Sequence, residues 1–258
     1  MDYRCTVCRK GTEAFSLLCP WCGAWLTLKG GEEETPGALA RPLNEVMLPS
    51  VDPWKTHLRH IDELLGGGFV GGSSVLLTGA PGSGKSTLLL QLLDASGRSA
   101  LYVSGEEGAE QIKLRANRLH IDTDAIAVVF ETNIRPVALC ARKRPPGFLV
   151  IDSIQTMYTD LSDALPGTTT QIRKCGYILR RLAQEKGLVL IIVGQVTKGL
   201  KAAGPKALEH AVDTVLSLSL QKGHPAERVL LVSKNRFGPA GCPLPLRMAA
   251  GGFLLERG

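Results

Sequence analysis

The chain has 258 residues, 44% of them hydrophobic and 21% charged, with a formal net charge of +6. That length accommodates one large α/β domain with a small appendage, and the composition excludes a mostly disordered chain. No apolar run is long enough to span a bilayer, and Cys5 and Cys8 stand where a signal peptide needs apolar residues, so a cytoplasmic protein without membrane attachment is expected; the basic excess permits nucleic-acid contact without requiring it.

The first predicted element is a cysteine module over residues 1–28. Cys5-Thr6-Val7-Cys8 and Cys19-Pro20-Trp21-Cys22 are two C-x-x-C pairs separated by ten residues. Four thiolates at this spacing suit a closed, tetrahedral, structural Zn²⁺ site, and so short a segment needs a metal to fold. A redox pair is the competing reading. The odd total of seven cysteines speaks against a disulfide framework, and Cys140, Cys175 and Cys242 are assigned no role. Residues 29–57, opening with Gly30, Gly31 and the acidic run Glu32 to Glu34, have the composition of a linker to the core at residues 58–258.

Within that core, short apolar runs at 75–77, 100–103, 126–130, 148–151 and 189–193 alternate with helix-length stretches. Uninterrupted runs of this kind predict strands buried on both faces, in an α/β fold with a mostly parallel central sheet and crossover helices. Two further runs, 214–220 and 228–232, lie close together and predict strands added at one side of the sheet.

The segment Gly79-Ala80-Pro81-Gly82-Ser83-Gly84-Lys85-Ser86-Thr87 matches the P-loop pattern, between a predicted strand and the helix-forming Leu88 to Leu93. Glycines let main-chain N–H groups close around phosphate oxygens, and the helix N-terminus adds a favourable dipole. Lys85 is expected to reach the β- and γ-phosphates of ATP and Ser86 to ligate Mg²⁺. Asp152 ends the run 148–151 and either holds the Mg²⁺ or caps the helix that follows. Glu106 and Glu107 follow another strand. Glu106 is the chosen general base, against the alternative of a solvated acidic turn. Gln195 closes a third strand with an amide able to sense a γ-phosphate. The loop beyond it carries Lys198, Lys201 and Lys206, either a contact to a nucleic-acid backbone or an ordinary solvated loop.

Together these residues resemble the bacterial RadA (Sms) recombination proteins, relatives of RecA and of ring-shaped replicative helicases. The similarity rests on the cysteine module, on Leu64-Leu65-Gly66-Gly67-Gly68, on Tyr102-Val103-Ser104-Gly105-Glu106-Glu107, on Val150 to Thr156 and on Lys234-Asn235-Arg236-Phe237-Gly238. It implies a RecA-like ATPase fold and a DNA-dependent ATP hydrolase, a helicase-like motor acting on single-stranded or branched DNA in recombination and repair. The implied partners are DNA, a RecA-type recombinase and further copies of the chain, in a ring of up to six. The resemblance places Lys234 and Arg236 across a subunit interface toward a neighbour's nucleotide, and makes the loops 157–167 and 196–205 DNA-facing. A KaiC-like ATP switch and a zinc-dependent DNA-binding adaptor are the alternatives. Three features depart from the family pattern: the sequence given stops near where a Lon-like domain is expected, Gln195 replaces a histidine, and Arg9-Lys10-Gly11-Thr12 follows the first cysteine pair.

Overall fold

The structure, a computed structural model, describes residues 3–13, 19–21, 27–30, 42–45, 52–195 and 206–258. The chain divides into two compact units, Met1–Ser50 and Val51–Gly258.

In the first unit, β1 (Tyr3–Cys5) pairs antiparallel with both β2 (Gly11–Thr12) and β3 (Leu28–Gly30). Cys5, Cys19 and Leu28 are its buried apolar residues, with Tyr3 and Cys8 packed against them. So small a cluster buries too little surface to fold on hydrophobicity alone. Lys10 places its ammonium over the Trp21 ring, whose indole N–H donates to the Gly11 carbonyl at 2.8 Å.

The second unit is a nine-stranded sheet with helices between its parallel strands. Its elements in order are α1 (Arg59–Leu65), β4 (Ser74–Gly79), α2 (Lys85–Ser96), β5 (Ala100–Ser104), α3 (Ala109–Arg118), β6 (Ile126–Phe130), α4 (Ile134–Lys143), β7 (Phe148–Asp152), α5 (Thr169–Lys186), β8 (Val189–Gln195), α6 (Lys206–Glu209), β9 (Thr214–Gln221), β10 (His224–Asn235), β11 (Pro243–Ala249) and β12 (Gly252–Phe253). The strand order is β12-β11-β10-β9-β4-β8-β7-β5-β6. Pairing is parallel from β6 through β9 and antiparallel from β9 to β12. The sheet is therefore mostly parallel, as the alternation of apolar runs and helical stretches predicts.

Every residue of β4 and β5 is buried, because helices cover both faces. The run 126–130 differs from the expectation of two-sided burial. It forms β6, the sheet's edge strand, where no neighbour covers the outer side, and Phe130 is 59% exposed. Around one end of the core, Trp54 and Phe69 both meet Phe148 edge-on, at 5.9 and 5.5 Å between ring centres.

The helix α1 ends where Gly66 takes φ 84° and its amide turns back to the Glu63 carbonyl. This glycine also lets two backbones touch: a Cβ on Gly66 would lie 3.1 Å from the Cα of Gly238, and one on Gly238 would lie 2.8 Å from the Leu65 carbonyl oxygen. The two motifs Leu64 to Gly68 and Lys234 to Gly238, far apart in sequence, thus form one packed feature. Residues at the start of α1 also meet residues 256–258. Leu58 bridges Arg257, Arg59 N–H donates to the Glu256 carbonyl, and Gly258 N–H donates to that of His57.

Candidate active site

The sheet's parallel pairing brings the C-terminal ends of β4, β5, β7 and β8 to one edge, and four of the predicted residues arrive there on the ends of these strands or just past them. A cavity of about 550 Å³ opens on that edge, and Lys85, Ser86, Glu106, Asp152, Gln195, Arg228 and Met248 are among the residues that line it.

The P-loop leaves β4 at Gly79 and turns into α2 at Gly84, with φ 74° at Gly82 and 102° at Gly84, conformations that favour glycine. Gly79 has no room for a side chain, since a Cβ there would lie 2.4 Å from the Leu218 carbonyl oxygen. Pro81 and Thr87 also face the cavity, while Ser83 is buried beneath it with its hydroxyl unpartnered. The Lys85 ammonium curls over the loop and donates to the carbonyls of Gly79 (2.9 Å) and Ala80 (3.0 Å). Burial lowers its pKa, while the carboxylates of Asp152 and Glu106 oppose that shift.

Asp152 is the centre of a short hydrogen-bonded cluster. Its Oδ2 accepts from the Ser86 hydroxyl at 2.7 Å and from the Tyr102 hydroxyl. A serine hydroxyl and a carboxylate in contact form the hard-oxygen pair that suits Mg²⁺, so the residues present fit that ion.

Glu106 lies just past β5 and is held from two sides. The Ser153 hydroxyl donates to its Oε1, and Gln195 Nε2 lies 3.0 Å from both carboxylate oxygens. Gln155 Nε2 in turn donates to the Gln195 main-chain carbonyl at 3.1 Å, which ties the end of β8 to the turn after β7. The adjacent acid is committed elsewhere. Glu107 makes a two-pronged pair with Arg115, at 2.6 and 2.7 Å, and that guanidinium holds its pKa below the usual carboxylate range although burial opposes it. The adjacent carboxylates thus have distinct environments, and Glu106 is the one facing Lys85 and Gln195 across the cavity.

Arg228 has no counterpart among the residues singled out by sequence. It is 7% exposed on β10, and its Nε donates to the Ser83 carbonyl at 3.1 Å while Nη1 reaches the Pro225 and Glu227 carbonyls. A buried arginine that bonds only carbonyls braces the P-loop from below and leaves a positive charge near the cavity. The P-loop is bounded from the far strands too, since a Cβ on Gly84 would lie 2.7 Å from Met248 and 2.9 Å from Phe253.

Lys234 and Arg236 do not line this cavity. The Lys234 ammonium donates to the Glu209, His210 and Val212 carbonyls, at 2.9, 3.4 and 2.6 Å. Arg236 pairs with Asp213 at 3.1 Å, and the other oxygen of Asp213 accepts from the Ser74 amide and hydroxyl. Lys206 opens α6 and is exposed; Lys198 and Lys201 lie outside the described residues. In the loop 157–167, the buried Gln171 amide donates to the Thr159, Ser162 and Ala164 carbonyls and accepts from Thr159 N–H.

In the first unit, the sulfurs of Cys5, Cys8 and Cys19 all lie within 4.8 Å of one another, with Cys8 and Cys19 3.6 Å apart. Four sulfurs at Zn–S distances around a tetrahedral ion stand about 3.8 Å apart, so these three fit the metal; Cys22 lies outside the described residues. Burial raises the Cys5 thiol's pKa, but the Thr27 hydroxyl and the Cys8 and Val7 amides outweigh it and bring the thiol to about 6, favouring the thiolate.

The chain is similar to several known proteins. A family model described as "ATPase: KaiC" matches residues 54–135, which include the P-loop and Glu106. The DNA repair protein RadA of Bacillus subtilis is 42% identical over 237 residues, covering 85% of this chain and 52% of that protein. RadA of Aquifex aeolicus is 39% identical, covering 93% of this chain and 56% of the relative. Over most of its own length the chain is similar to the RadA proteins, and its fold is RecA-like. It spans about half the length of the curated relatives it matches. A KaiC-like protein of Pyrococcus horikoshii OT3 shares the fold, with a TM-score of 0.63 and 24% identity over 80% of this chain and 99% of that one. Among the described residues no helix is long and apolar enough to cross a membrane.

Proposed function

We propose that this chain binds MgATP on the loop Gly79 to Thr87, hydrolyses it, and couples hydrolysis to work on single-stranded or branched DNA in repair, as an assembly of several copies. The observation that carries this reading is the convergence of Lys85, Ser86, Glu106, Asp152 and Gln195 on one cavity at the C-terminal edge of a parallel sheet.

In this reading the P-loop amides and Lys85 hold the phosphates, and Ser86 and Asp152 hold Mg²⁺. That ion, when bound, neutralises charge developing on the phosphate oxygens. Glu106 accepts the proton of the attacking water, oriented by Gln195 and Ser153. Gln195 ends β8 and contacts Glu106, and in sequence it immediately precedes the basic segment with Lys198 and Lys201, which in this reading responds to a change at Glu106. Lys234 and Arg236, remote from the chain's own cavity, are assigned to a neighbouring copy's nucleotide, where cations stabilise the transition state. A Zn²⁺ ion on Cys5, Cys8, Cys19 and Cys22 supplies the folding energy of the first unit. A RecA-type recombinase is the assigned protein partner.

The test is ATP turnover with and without single-stranded DNA across a salt series. Turnover should be stimulated by DNA, with the effect declining steeply as salt rises, because phosphate contacts release counterions. Lys85→Ala should abolish turnover. The match to the KaiC ATPase family favours a second reading, an ATP-driven switch that binds proteins; turnover indifferent to DNA at every salt concentration would select it.

A further inference from the structure

One buried side chain at the cavity is explained neither by the P-loop nor by the acid pair. Tyr102 lies in the middle of β5, 1% exposed, and its hydroxyl donates to Asp152 Oδ2, the same oxygen that accepts from Ser86.

The register explains the reach. Tyr102 is opposite Val150, and Ser104 is opposite Asp152, on parallel neighbouring strands. Residues two apart on a strand share a face, so Tyr102, Ser104, Val150 and Asp152 stand on one side of the sheet. Two residues advance a strand by about 6.6 Å, and an extended tyrosine side chain covers that distance, laying its hydroxyl under the carboxylate. The ring fills core volume, and phenylalanine would fill nearly the same space. What phenylalanine lacks is the donor. An aspartate's terminal torsion is broad and roughly two-fold, so the carboxylate needs partners to fix its plane. On Asp152 those partners are the hydroxyls of Ser86 and Tyr102.

We infer that Tyr102 is a positioning residue, which fixes the Asp152 carboxylate in the orientation needed to hold Mg²⁺ beside Ser86. The inference deepens the MgATP reading and rests on it. Outer partners of a metal-holding carboxylate act by orienting it, and their loss lowers metal affinity while the ligands themselves remain.

The experiment is a Mg²⁺ titration of the full chain and its Tyr102→Phe variant, reading binding of a fluorescent ATP analogue by anisotropy, with melting temperature measured in parallel. The variant should need about tenfold more Mg²⁺ for half-maximal binding. Its binding in EDTA should match the parent's, and its turnover should recover as Mg²⁺ is raised. An unchanged Mg²⁺ midpoint, with or without a lowered melting temperature, would reduce Tyr102 to packing and overturn the inference, leaving the MgATP reading intact. A parent chain whose nucleotide binding ignores Mg²⁺ would overturn both.

Discussion

Gly105 joins β5 to Glu106, and its missing side chain decides where that carboxylate stands. Its φ lies outside the left-handed region, so alanine meets no backbone penalty there and any effect is steric. A Cβ built on Gly105 would lie 2.0 Å from Thr156 Oγ1, 2.9 Å from Thr156 Cβ and 2.9 Å from Met157 Cε. Thr156 does not yield freely, because its hydroxyl donates to the Ser153 carbonyl at 2.8 Å, and Ser153 in turn donates to Glu106. Gly105 does not yield either, because its amide donates to the Asp152 carbonyl at 2.9 Å. An added methyl in a packed site costs about 1–3 kcal/mol. For a unit of this size, 2 kcal/mol lowers the melting temperature by about 4–8 °C. Moving the Glu106 carboxylate by about 1 Å should lower turnover about a hundredfold. Thermal unfolding and ATP turnover of Gly105→Ala read both effects. Thr156→Ala removes the closest contact, so Gly105→Ala with Thr156→Ala should be less destabilised than the sum of the single variants, by about 1 kcal/mol. A Gly105→Ala protein with parental melting temperature and turnover, or strict additivity in the pair, would refute the steric account.

Glu107→Gln should destabilise the fold at neutral pH and cease to do so in acid. The Arg115 guanidinium depresses the folded carboxyl's pKa below its ordinary 4.5, so the pair's contribution is present above that pH and is lost as pH falls through the lower folded value; melting curves from pH 7 to pH 3 check it. Zn²⁺ chelation should open the first unit to protease while the melting transition of Val51–Gly258 stays in place; continued protection after metal loss would remove the metal's structural role. Lys234→Ala and Arg236→Ala should lower turnover and leave nucleotide affinity nearly unchanged. Lys234→Ala should also lower the melting temperature by a few degrees, because three carbonyls lose their donor. Equilibrium nucleotide binding beside steady-state turnover separates the effects.

The parts of the site legible in the sequence are those whose chemistry is local. The loop Gly79 to Thr87 announces itself because turn, helix start and phosphate contact share one stretch, and Asp152 because an apolar run ends on a charge. The choice of Glu106 over Glu107 is different in kind: Arg115 is eight residues on, and only the return of α3 brings it to Glu107. Arg228 reads as the polar start of a strand until β10 lies against the P-loop. Tyr102 reads as core, since nothing local says that its hydroxyl ends beneath Asp152. The last two strands escaped for a related reason. Pro243 to Ala249 has two prolines and alternating burial, a pattern that becomes a strand only where β10 offers an edge. The run 126–130 shows the converse, where an apolar stretch reads as interior and the absence of an outer neighbour places it at the rim.

The pairing of Leu58 with Arg257, and of His57 with Gly258, ties residues 57–58 to residues 257–258 across the whole length of the sheet-bearing sequence. Two stretches so far apart in sequence and adjacent in space can be joined by a short connection, with new ends cut at an exposed turn such as Gly223 and little distortion of the sheet.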